Sequence, residues 1–296
     1  MPGAPIAIEP LPRSCDVVVS FVLYRTGPAE AQAAVEQALA SSGLDLHVVV
    51  VDNSETPVPL PAFDPDRVTR VRSGANLGYG RAHNIAIAAS AGRCRYHFVL
   101  NTDLRFGPEV IPALVSYMDA RPEIGLAMPR VVYPDGRVQQ LCRLLPDPLL
   151  LLGRRFFPSS RYVRERNRDY EFHDWSYDRE ASFPFLSGCF MAIRRSVLDR
   201  VGGFDPRYFL YAEDLDLSRR IHAVADTRFA PVATVEHGYR TQSARSWRLT
   251  RYALVSLARY FSKWGWLVDR ERDAVNRACN EALRQPARQN EPERIA

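Results

Sequence analysis

Two short segments place a carboxylate directly after an apolar run, where it could bind a ligand. Asp52 follows Leu46–Val51, and its carboxylate could accept hydrogen bonds from a nucleobase or from sugar hydroxyls. The Asp-Asn-Ser sequence also suits an ordinary turn, and both interpretations stay open. Asp103 ends the segment Leu100-Asn101-Thr102-Asp103. A single carboxylate on such a loop can hold Mg²⁺ or Mn²⁺, which then takes diphosphate oxygens as further ligands.

An acidic cluster and a histidine occur later in the chain. Glu213, Asp214 and Asp216 stand at a predicted helix start, where acids can simply complement the helix dipole. An aromatic approach, Phe209-Leu210-Tyr211, would nevertheless carry Asp214 and Asp216 into the protein. A buried carboxylate there suits a general base that takes a proton from a hydroxyl. His237 follows a predicted strand and is either structural or a ligand for a divalent ion.

A glycine-containing segment, GANLGYGRAHN at 74–84, opens a predicted helix. Glycines let a backbone approach a ligand closely, and a helix N-terminus favours anions. The segment matches neither the dinucleotide pattern GxGxxG nor the phosphate loop ending in GK[ST]. Ordinary dinucleotide binding and ATP binding therefore lose support.

These residues lie at the ends of predicted strands. Strands are predicted at 16–24, 46–51, 68–72, 95–100 and 124–129, with helices at 29–40, 79–91 and 108–120 between them. This alternation predicts right-handed crossovers and a parallel sheet. Ligands of such sheets bind beyond the carboxyl ends of the strands, which is where the candidate residues fall.

The second half of the chain alternates less regularly. Residues 141–182, rich in arginine, proline and aromatic residues, predict an irregular arm or lid. A strand at 183–193, a helix at 214–223 and a strand at 228–235 follow. Residues 246–283 predict two helices, whose apolar stripe and tryptophans either pack on the main domain or touch a membrane surface.

Composition limits the functional classes. The chain has 296 residues, 46% hydrophobic and 25% charged, as in globular proteins. Five cysteines without a CxxC pair argue against a disulfide framework or a zinc site and favour the reducing cytosol. We expect no signal peptide and no membrane span, so a cytoplasmic protein, with peripheral contact to the inner face of the membrane left open. The net charge of +5 suits anionic partners, and no sequence pattern favours nucleic acid.

Taken in order, the segments resemble glycosyltransferase family 2, and look closest to its bacterial rhamnosyltransferase-like branch. The resemblance covers about residues 16–245 and is carried by VVVSFVLYR, VVVVDNSE, NLGYGRAHNIAI, VLNTDL, FLSGCFMAIRRSVLDRVGGFDPRYFLYAEDLDLSRR and VEHGYRTQS. It implies an α/β, GT-A (Rossmann-like) fold: a mixed, mainly parallel sheet flanked by helices, with a C-terminal helical extension. The implied parts are a flexible N-terminus (1–15), a catalytic domain (16–245, with a nucleotide half to about 105 and an acceptor half after it), C-terminal helices (246–284) and a disordered tail (285–296).

The resemblance also implies a reaction. A sugar, with rhamnose favoured, would move from a nucleoside-diphosphate sugar to a hydroxyl of a glycan or lipid-linked glycan, with inversion and with Mg²⁺ or Mn²⁺. The favoured donor is dTDP-rhamnose, followed by UDP-sugars. A homodimer is left open.

Roles follow for single residues. Asp214 would be the general base, and Asp103 and His237 the metal ligands. The residues implied for the nucleotide-sugar are Asp52, Asn76, Gly78, Asn101, Arg219 and Arg220, and those for the acceptor are Gly188 and Glu213. Asn101 stands where the metal motif commonly has a first carboxylate, and the first strand ends in Leu23-Tyr24-Arg25 where the family usually has Tyr-Asn.

Two other functions compete. A sugar-1-phosphate nucleotidyltransferase should carry a glycine-rich basic loop after the first strand, but Tyr24–Pro28 contains one glycine. A catalytically inactive carbohydrate-binding protein would tolerate loss of the acids, yet Asp103 and Asp214 are both present.

Overall fold

A mixed sheet forms the centre of the protein, for which a computed structural model describes residues 10–238 and 247–284. Its strands run in the order β3-β2-β1-β4-β10-β6-β11-β5. The bounds are β1 Val17–Leu23, β2 Leu46–Asp52, β3 Val68–Arg72, β4 Tyr96–Leu100, β5 Leu104–Arg105, β6 Ile124–Val132, β10 Phe190–Arg194 and β11 Asp226–His237. Two-residue strands, β7 Cys142–Arg143, β8 Ala181–Ser182 and β9 Phe185–Leu186, lie beside it.

The N-terminal half of the sheet is parallel. Strands β3, β2, β1 and β4 pair in parallel, and β1 and β2 are valine-rich and almost fully buried, as strands covered on both faces must be. Helix α1 (Pro28–Leu39) packs into one core and α2 (Tyr79–Ala89) into the core on the opposite face. The predicted alternation of strands and helices is confirmed here.

The other half of the sheet is mixed and completes one edge of the site. Strand β10 runs antiparallel between β4 and β6, whereas β11 runs parallel to β6. Strand β5 pairs antiparallel with the end of β11, with Leu104 opposite His237. Because β5 begins directly after Asp103, this register brings Asp103 beside His237.

The prediction of an irregular arm at 141–182 is wrong over much of its length. The structure has α4 (Pro148–Phe156) and α5 (Arg161–Tyr170) there. Helix α4 begins with an Asp147 cap that accepts a hydrogen bond from the Leu150 amide, with Pro148 at the first position. The arginine-rich composition masked these start signals.

Three further helices flank the sheet. They are α3 (Val110–Asp119), α6 (Arg195–Val201) and α7 (Glu213–His222). The predicted strand at 183–193 is divided into β9 and β10, because Ser187, Gly188 and Cys189 form a turn between them. Helix α6 directly follows β10 and was not predicted.

The two predicted C-terminal helices are present, as α8 (Trp247–Trp264) and α9 (Arg270–Arg284). Tyr260 and Phe261 of α8 pack in one buried cluster with Tyr208 and with Leu215 of α7. Within the described ranges, none of the helices combines the length and apolar content needed to cross a bilayer.

The predicted flexible N-terminus is ordered in part. Leu11 is buried, and its amide donates to the Ala89 carbonyl. The remaining expected termini, at 1–9 and 285–296, and the end of the motif VEHGYRTQS lie outside the described residues, as does the predicted domain boundary near 245.

Candidate functional site

Asp103 and His237 form the first part of the site. His237 Nε2 lies 3.2 Å from Asp103 Oδ1, and the Gly238 amide donates to the Asp103 carbonyl. The His237 side chain is buried, whereas Asp103 also lines a cavity of about 670 Å³ that opens toward Glu30 on α1. The two predicted metal ligands are therefore adjacent at the edge of an open space.

Gln139 fixes the orientation of His237. The Gln139 amide nitrogen donates to the His237 carbonyl at 2.9 Å, so the Gln139 oxygen must face His237 Nδ1, which lies 3.0 Å away. Since an amide oxygen only accepts, Nδ1 donates, and the neutral ring carries its lone pair on Nε2. That lone pair faces a carboxylate oxygen, an arrangement that a shared cation stabilises.

A hydrogen-bonded network connects this pair with Asp214. Asn101 Nδ2 lies 3.4 Å from His237 Nε2, and Asn101 Oδ1 lies 3.0 Å from the Tyr79 hydroxyl. The Tyr79 hydroxyl also lies 2.7 Å from the Gly188 carbonyl, and its single proton can be donated to either of these two acceptors. The Gly188 amide donates to Asp214 Oδ2 at 2.9 Å. Asp103 and Asp214 are thus connected by one chain of neighbouring contacts, although 110 residues separate them in the sequence.

Asp214 lies at the start of α7, behind two strained residues. Tyr211 and Ala212 have φ values of +69° and +62°, which side-chain-bearing residues rarely adopt. This turn directs Glu213 and Asp214 into the cleft. Burial raises the pKa of Asp214, and its two backbone hydrogen bonds oppose that shift only in part. A carboxylate with a raised pKa is a better proton acceptor.

Glu213 is a second buried acid beside Asp214. It is 5% exposed, and its Oε2 has no hydrogen-bond partner among the described residues. Burial, together with repulsion from Asp214, raises the pKa of Glu213 to about 8. At neutral pH this group therefore carries a proton and can donate a hydrogen bond to a ligand.

Asp216, the other acid singled out in this helix, has a structural role. Its carboxylate is fully buried and is bound by Arg220, Lys263 and the Trp264 indole. The sequence made both Asp214 and Asp216 candidates for the buried acid of the site, but in the structure the Asp216 carboxylate is occupied by internal ion pairs.

Three of the residues predicted for the nucleotide-sugar, Asp52, Asn76 and Gly78, lie at or after the ends of β2 and β3. Asp52 accepts the amides of Ser54 and Val58 at 3.0 and 2.8 Å, so its hydrogen bonds support the turn interpretation. This turn forms one wall of a cavity of about 310 Å³ whose other wall contains Tyr24 and Arg25. A direct contact of Asp52 with a base stays a prediction.

Asn76 and Gly78 shape the approach to α2. Asn76 Oδ1 accepts from Asn53 Nδ2 and from the Gly78 amide at 3.0 and 2.9 Å. Gly78 has φ +86°, and a Cβ there would lie 2.0 Å from the Phe209 carbonyl oxygen. Glycine is therefore required for the segment before the acidic cluster to approach the helix that carries Tyr79.

Arg219 and Arg220 are not brought to the cleft. Arg219 is 2% exposed and forms a two-pronged ion pair with Asp269, at 2.7 and 2.8 Å. Arg220 binds Asp216 and backbone carbonyls that include that of Gly203. Both guanidinium groups thus hold protein together, and the structure gives no support to their predicted contact with the diphosphate.

Two residues of the site, Tyr79 and Gln139, were not predicted. Tyr79 lies in the predicted segment NLGYGRAHN, but only the glycines and Asn76 were singled out there. Gln139 lies beside the Tyr-Pro-Asp-Gly turn at 133–136, and nothing in its sequence neighbourhood indicates a partner 98 residues away.

Solved structures share this fold at low identity. One is a crystal structure of GalNAc-T7 with UDP, GalNAc and Mn²⁺, with a TM-score of 0.55 and 14% identity over 85% of this chain and 50% of that one. Another is the mannosyltransferase PcManGT from Pyrobaculum calidifontis with GDP-Man and Mn²⁺, with a TM-score of 0.51 and 15% identity over 95% and 78% of the two chains. The predicted GT-A fold is confirmed.

Sequence comparisons give the family. An N-acetylglucosaminyl-diphospho-decaprenol L-rhamnosyltransferase of Mycobacterium tuberculosis is 33% identical over 228 residues, which are 69% of each chain. The succinoglycan biosynthesis protein ExoO of Rhizobium meliloti is 32% identical over 137 residues, 45% of this chain and 38% of that one. Residues 21–202 match the family model for glycosyl transferase family 2. The chain is a glycosyltransferase and belongs to glycosyl transferase family 2.

Proposed function

We propose that the chain is an inverting, metal-dependent rhamnosyltransferase that acts on a lipid-diphosphate-linked sugar. The name of the mycobacterial relative gives rhamnosyl transfer and a lipid-diphosphate-linked sugar, and the two chains share a third of their residues over 69% of each. The favoured donor is dTDP-rhamnose, with UDP-sugars next. The single observation that carries the proposal is the network from Asp103 and His237 through Tyr79 to Asp214.

Asp103 and His237 fit a divalent cation. They present an oxygen and a nitrogen 3.2 Å apart, and Gln139 keeps the Nε2 lone pair directed at the site. In the described parts of the chain no cluster of three or more His, Cys, Asp or Glu occurs, so most positions on the ion would fall to diphosphate oxygens and water. When bound, Mg²⁺ or Mn²⁺ would neutralise charge on the departing diphosphate.

Asp214 would take the proton. The acceptor hydroxyl loses its proton to Asp214, its oxygen bonds to the anomeric carbon, and the bond from that carbon to the diphosphate oxygen breaks. One base and one leaving group on opposite faces invert the anomeric configuration. The Gly188 amide holds Asp214 Oδ2 in place during this step. Glu213, protonated at neutral pH, would donate a hydrogen bond to the acceptor sugar.

The nucleotide would lie beyond the ends of β1 and β2. Tyr24 and Arg25 offer a ring and a cation there, and the turn held by Asp52 closes the other side. Between this cavity and the metal pair run the ends of adjacent strands β1 and β4, so one extended ligand could occupy both. A nucleotidyltransferase is not favoured by any of these contacts.

The test is direct transfer. Purified protein is incubated with dTDP-rhamnose, or with UDP-sugars in parallel, and a prenyl-diphosphate-linked N-acetylglucosamine, with Mn²⁺ or EDTA. We expect a product one sugar larger, formed only when the metal is present. Asp214→Asn should form no product, because an amide cannot accept the proton of the acceptor hydroxyl, but it should still bind the donor. Full activity in EDTA, or turnover of Asp214→Asn close to that of the wild type, would refute the proposed mechanism.

A membrane surface is the proposed location of the acceptor. Exposed apolar side chains Leu149, Phe156 and Phe157 extend from α4 and its end, next to Arg154 and Arg155. Sedimentation with anionic vesicles tests this contact. Phe156→Ser with Phe157→Ser should release the protein, whereas Val232→Ser, an exposed apolar residue of β11, should not.

A further inference from the structure

A second cavity adjoins Asp214 on the side of the C-terminal helices. It measures about 350 Å³ and lies between α4 and α8. Of the residues named so far in the cleft, it is lined by Asp214, Tyr211 and Ala212, whereas Asp103 lines a different cavity. Asp214 therefore also borders a second space, which extends from the predicted base toward α8.

One wall of this cavity is basic. Among the described residues that line it, Arg143, Arg154 and Arg155 are cationic and Asp214 alone is acidic. Glu171 binds Arg143 and Arg154 at 3.3 and 2.7 Å without lining the cavity. Its pKa is lowered to about 2 despite its burial, chiefly by those two arginines, so it stays ionised and fixes their positions. Arginine arrays held in this way bind phosphate oxygens.

Another part of the lining is apolar. It consists of Leu151 and Leu152 of α4 and Leu254 and Leu257 of α8, here called the leucine wall. Leu151 and Leu257 pack on the buried cluster that contains Leu215. Arg155 of α4 hydrogen-bonds to Thr250 of α8 and joins the two helices.

The two walls together match an amphiphile with a strongly anionic head. We propose that this cavity binds the diphosphate of the acceptor to Arg143, Arg154 and Arg155, and the first isoprene units of its lipid to the leucine wall. This assignment rests on the proposed function, because it places a sugar attached to that diphosphate beside Asp214. Leu152 is 40% exposed at the outer side of α4, where a longer lipid would leave the protein.

A donor nucleotide also carries a diphosphate, so the probe must separate the two sources. Farnesyl diphosphate, below its micellar concentration and in EDTA, offers the lipid diphosphate without a metal for the donor site. We expect binding by titration calorimetry that is independent of Mn²⁺ and unchanged in Asp103→Asn. Inorganic pyrophosphate and farnesol, each offering one half of the ligand, should bind at least tenfold more weakly.

Arg155→Gln and Leu254→Glu are the test variants. Loss of a charge-assisted hydrogen bond costs about 1.5–3 kcal/mol, so Arg155→Gln should weaken farnesyl diphosphate binding by tenfold or more. Leu254→Glu places a carboxylate where the apolar lipid would lie and should also weaken binding. Arg251→Gln, at an exposed arginine of α8 that does not line the cavity, is the matched control and should bind normally. Two variants on different helices guard against misfolding of one, and their thermal unfolding midpoints are compared with that of the control.

Three results would each overturn the assignment. The first is farnesyl diphosphate binding that requires Mn²⁺ and is lost in Asp103→Asn. The others are an equal loss of affinity in Arg155→Gln and Arg251→Gln, and an affinity for farnesol as high as that for farnesyl diphosphate. The proposed function fails separately, if no donor gives transfer while farnesyl diphosphate still binds. Conversely, transfer to a prenyl-linked acceptor with an unchanged KM in Arg155→Gln would overturn the cavity assignment alone.

Discussion

The amide of Gly188 donates a 2.9 Å hydrogen bond to Asp214 Oδ2, and the two residues touch so closely that a Cβ at position 188 would lie 2.9 Å from Asp214 Cβ. Gly188→Ala must therefore displace the carboxylate. A shift of about 1 Å in a reacting group can cost on the order of 100-fold in rate. We expect kcat to fall by 10- to 100-fold with an unchanged KM for the donor, measured by steady-state transfer.

Gly27→Ala is the matched control for that substitution. Gly27 has φ −67° and no atom within 4 Å of the added Cβ, so this variant should keep the wild-type kcat. A normal kcat in Gly188→Ala would show that the glycine is not needed to position the base.

Glu213 should make stability depend on pH in an unusual direction. Its pKa is raised from 4.5 to about 8, so between these values the folded protein keeps a proton that the unfolded chain has lost. Stability is therefore fully present below pH 4.5 and falls as pH rises toward 8, by about 1.4 kcal/mol per pH unit for one such group. Glu213→Gln removes this contribution.

Urea unfolding at pH 5 and pH 8 tests this prediction. The free energy of unfolding of Glu213→Gln, relative to that of the wild type, should be higher at pH 8 than at pH 5. The variant should retain transfer at pH 7, because glutamine resembles the protonated acid. The exposed Glu123→Gln should show no such gain. If wild type and Glu213→Gln lose stability in parallel, Glu213 is ionised in the folded protein.

The sequence sufficed for the residues whose role follows from a strand end. Asp103 lies just beyond the end of β4 and His237 ends β11, so their meeting at one sheet edge follows from topology. Asp214 was found by the aromatic approach that precedes its helix. Tyr79 and Gln139 act through partners about 100 residues away in the chain, and no local pattern encodes such contacts. Arg219 and Arg220 show the reverse error, because a basic pair beside acids looked like a diphosphate site and is an internal brace.

The orienting role of Gln139 predicts its effect on metal dependence. Without the amide acceptor, His237 Nδ1 loses its 3.0 Å partner and the ring can turn or change tautomer. Loss of such a partner typically weakens metal binding by about 10–100-fold. Gln139→Leu should raise the Mn²⁺ concentration for half-maximal transfer by that factor, with kcat at saturating Mn²⁺ largely retained.

Gln32→Leu, on the exposed side of α1, provides the comparison for Gln139→Leu. An identical Mn²⁺ requirement in the two variants would mean that Gln139 does not orient a metal ligand. Loss of kcat at every Mn²⁺ concentration would instead indicate general damage to the site.

The buried Arg219–Asp269 pair predicts a large loss of stability on its removal. Asp269→Asn leaves a cation that is 2% exposed beside the Trp264 ring, with the half-exposed Glu271 as its remaining carboxylate partner among the described residues and the Tyr260 hydroxyl 3.3 Å away. Breaking a buried pair in this way costs about 3–5 kcal/mol. Urea unfolding followed by tryptophan fluorescence should show this decrease.

Asp273→Asn provides the baseline for that measurement. Asp273 is 59% exposed and pairs with Arg272 at the surface, where an ion pair contributes about 0–1 kcal/mol. If Asp269→Asn is no less stable than Asp273→Asn, the buried pair does not hold α9 to α7.

That same pair joins α7, which carries the proposed base, to the residue directly before α9. The region that matches the family model ends at residue 202, before Asp214, His237 and both partners of this clamp. Loss of Asp269 would remove none of the residues assigned above to the metal, the base or the lipid cavity, yet would withdraw the support under the helix that presents the proton acceptor. A change at this clamp can therefore alter catalysis without altering any group assigned to a ligand.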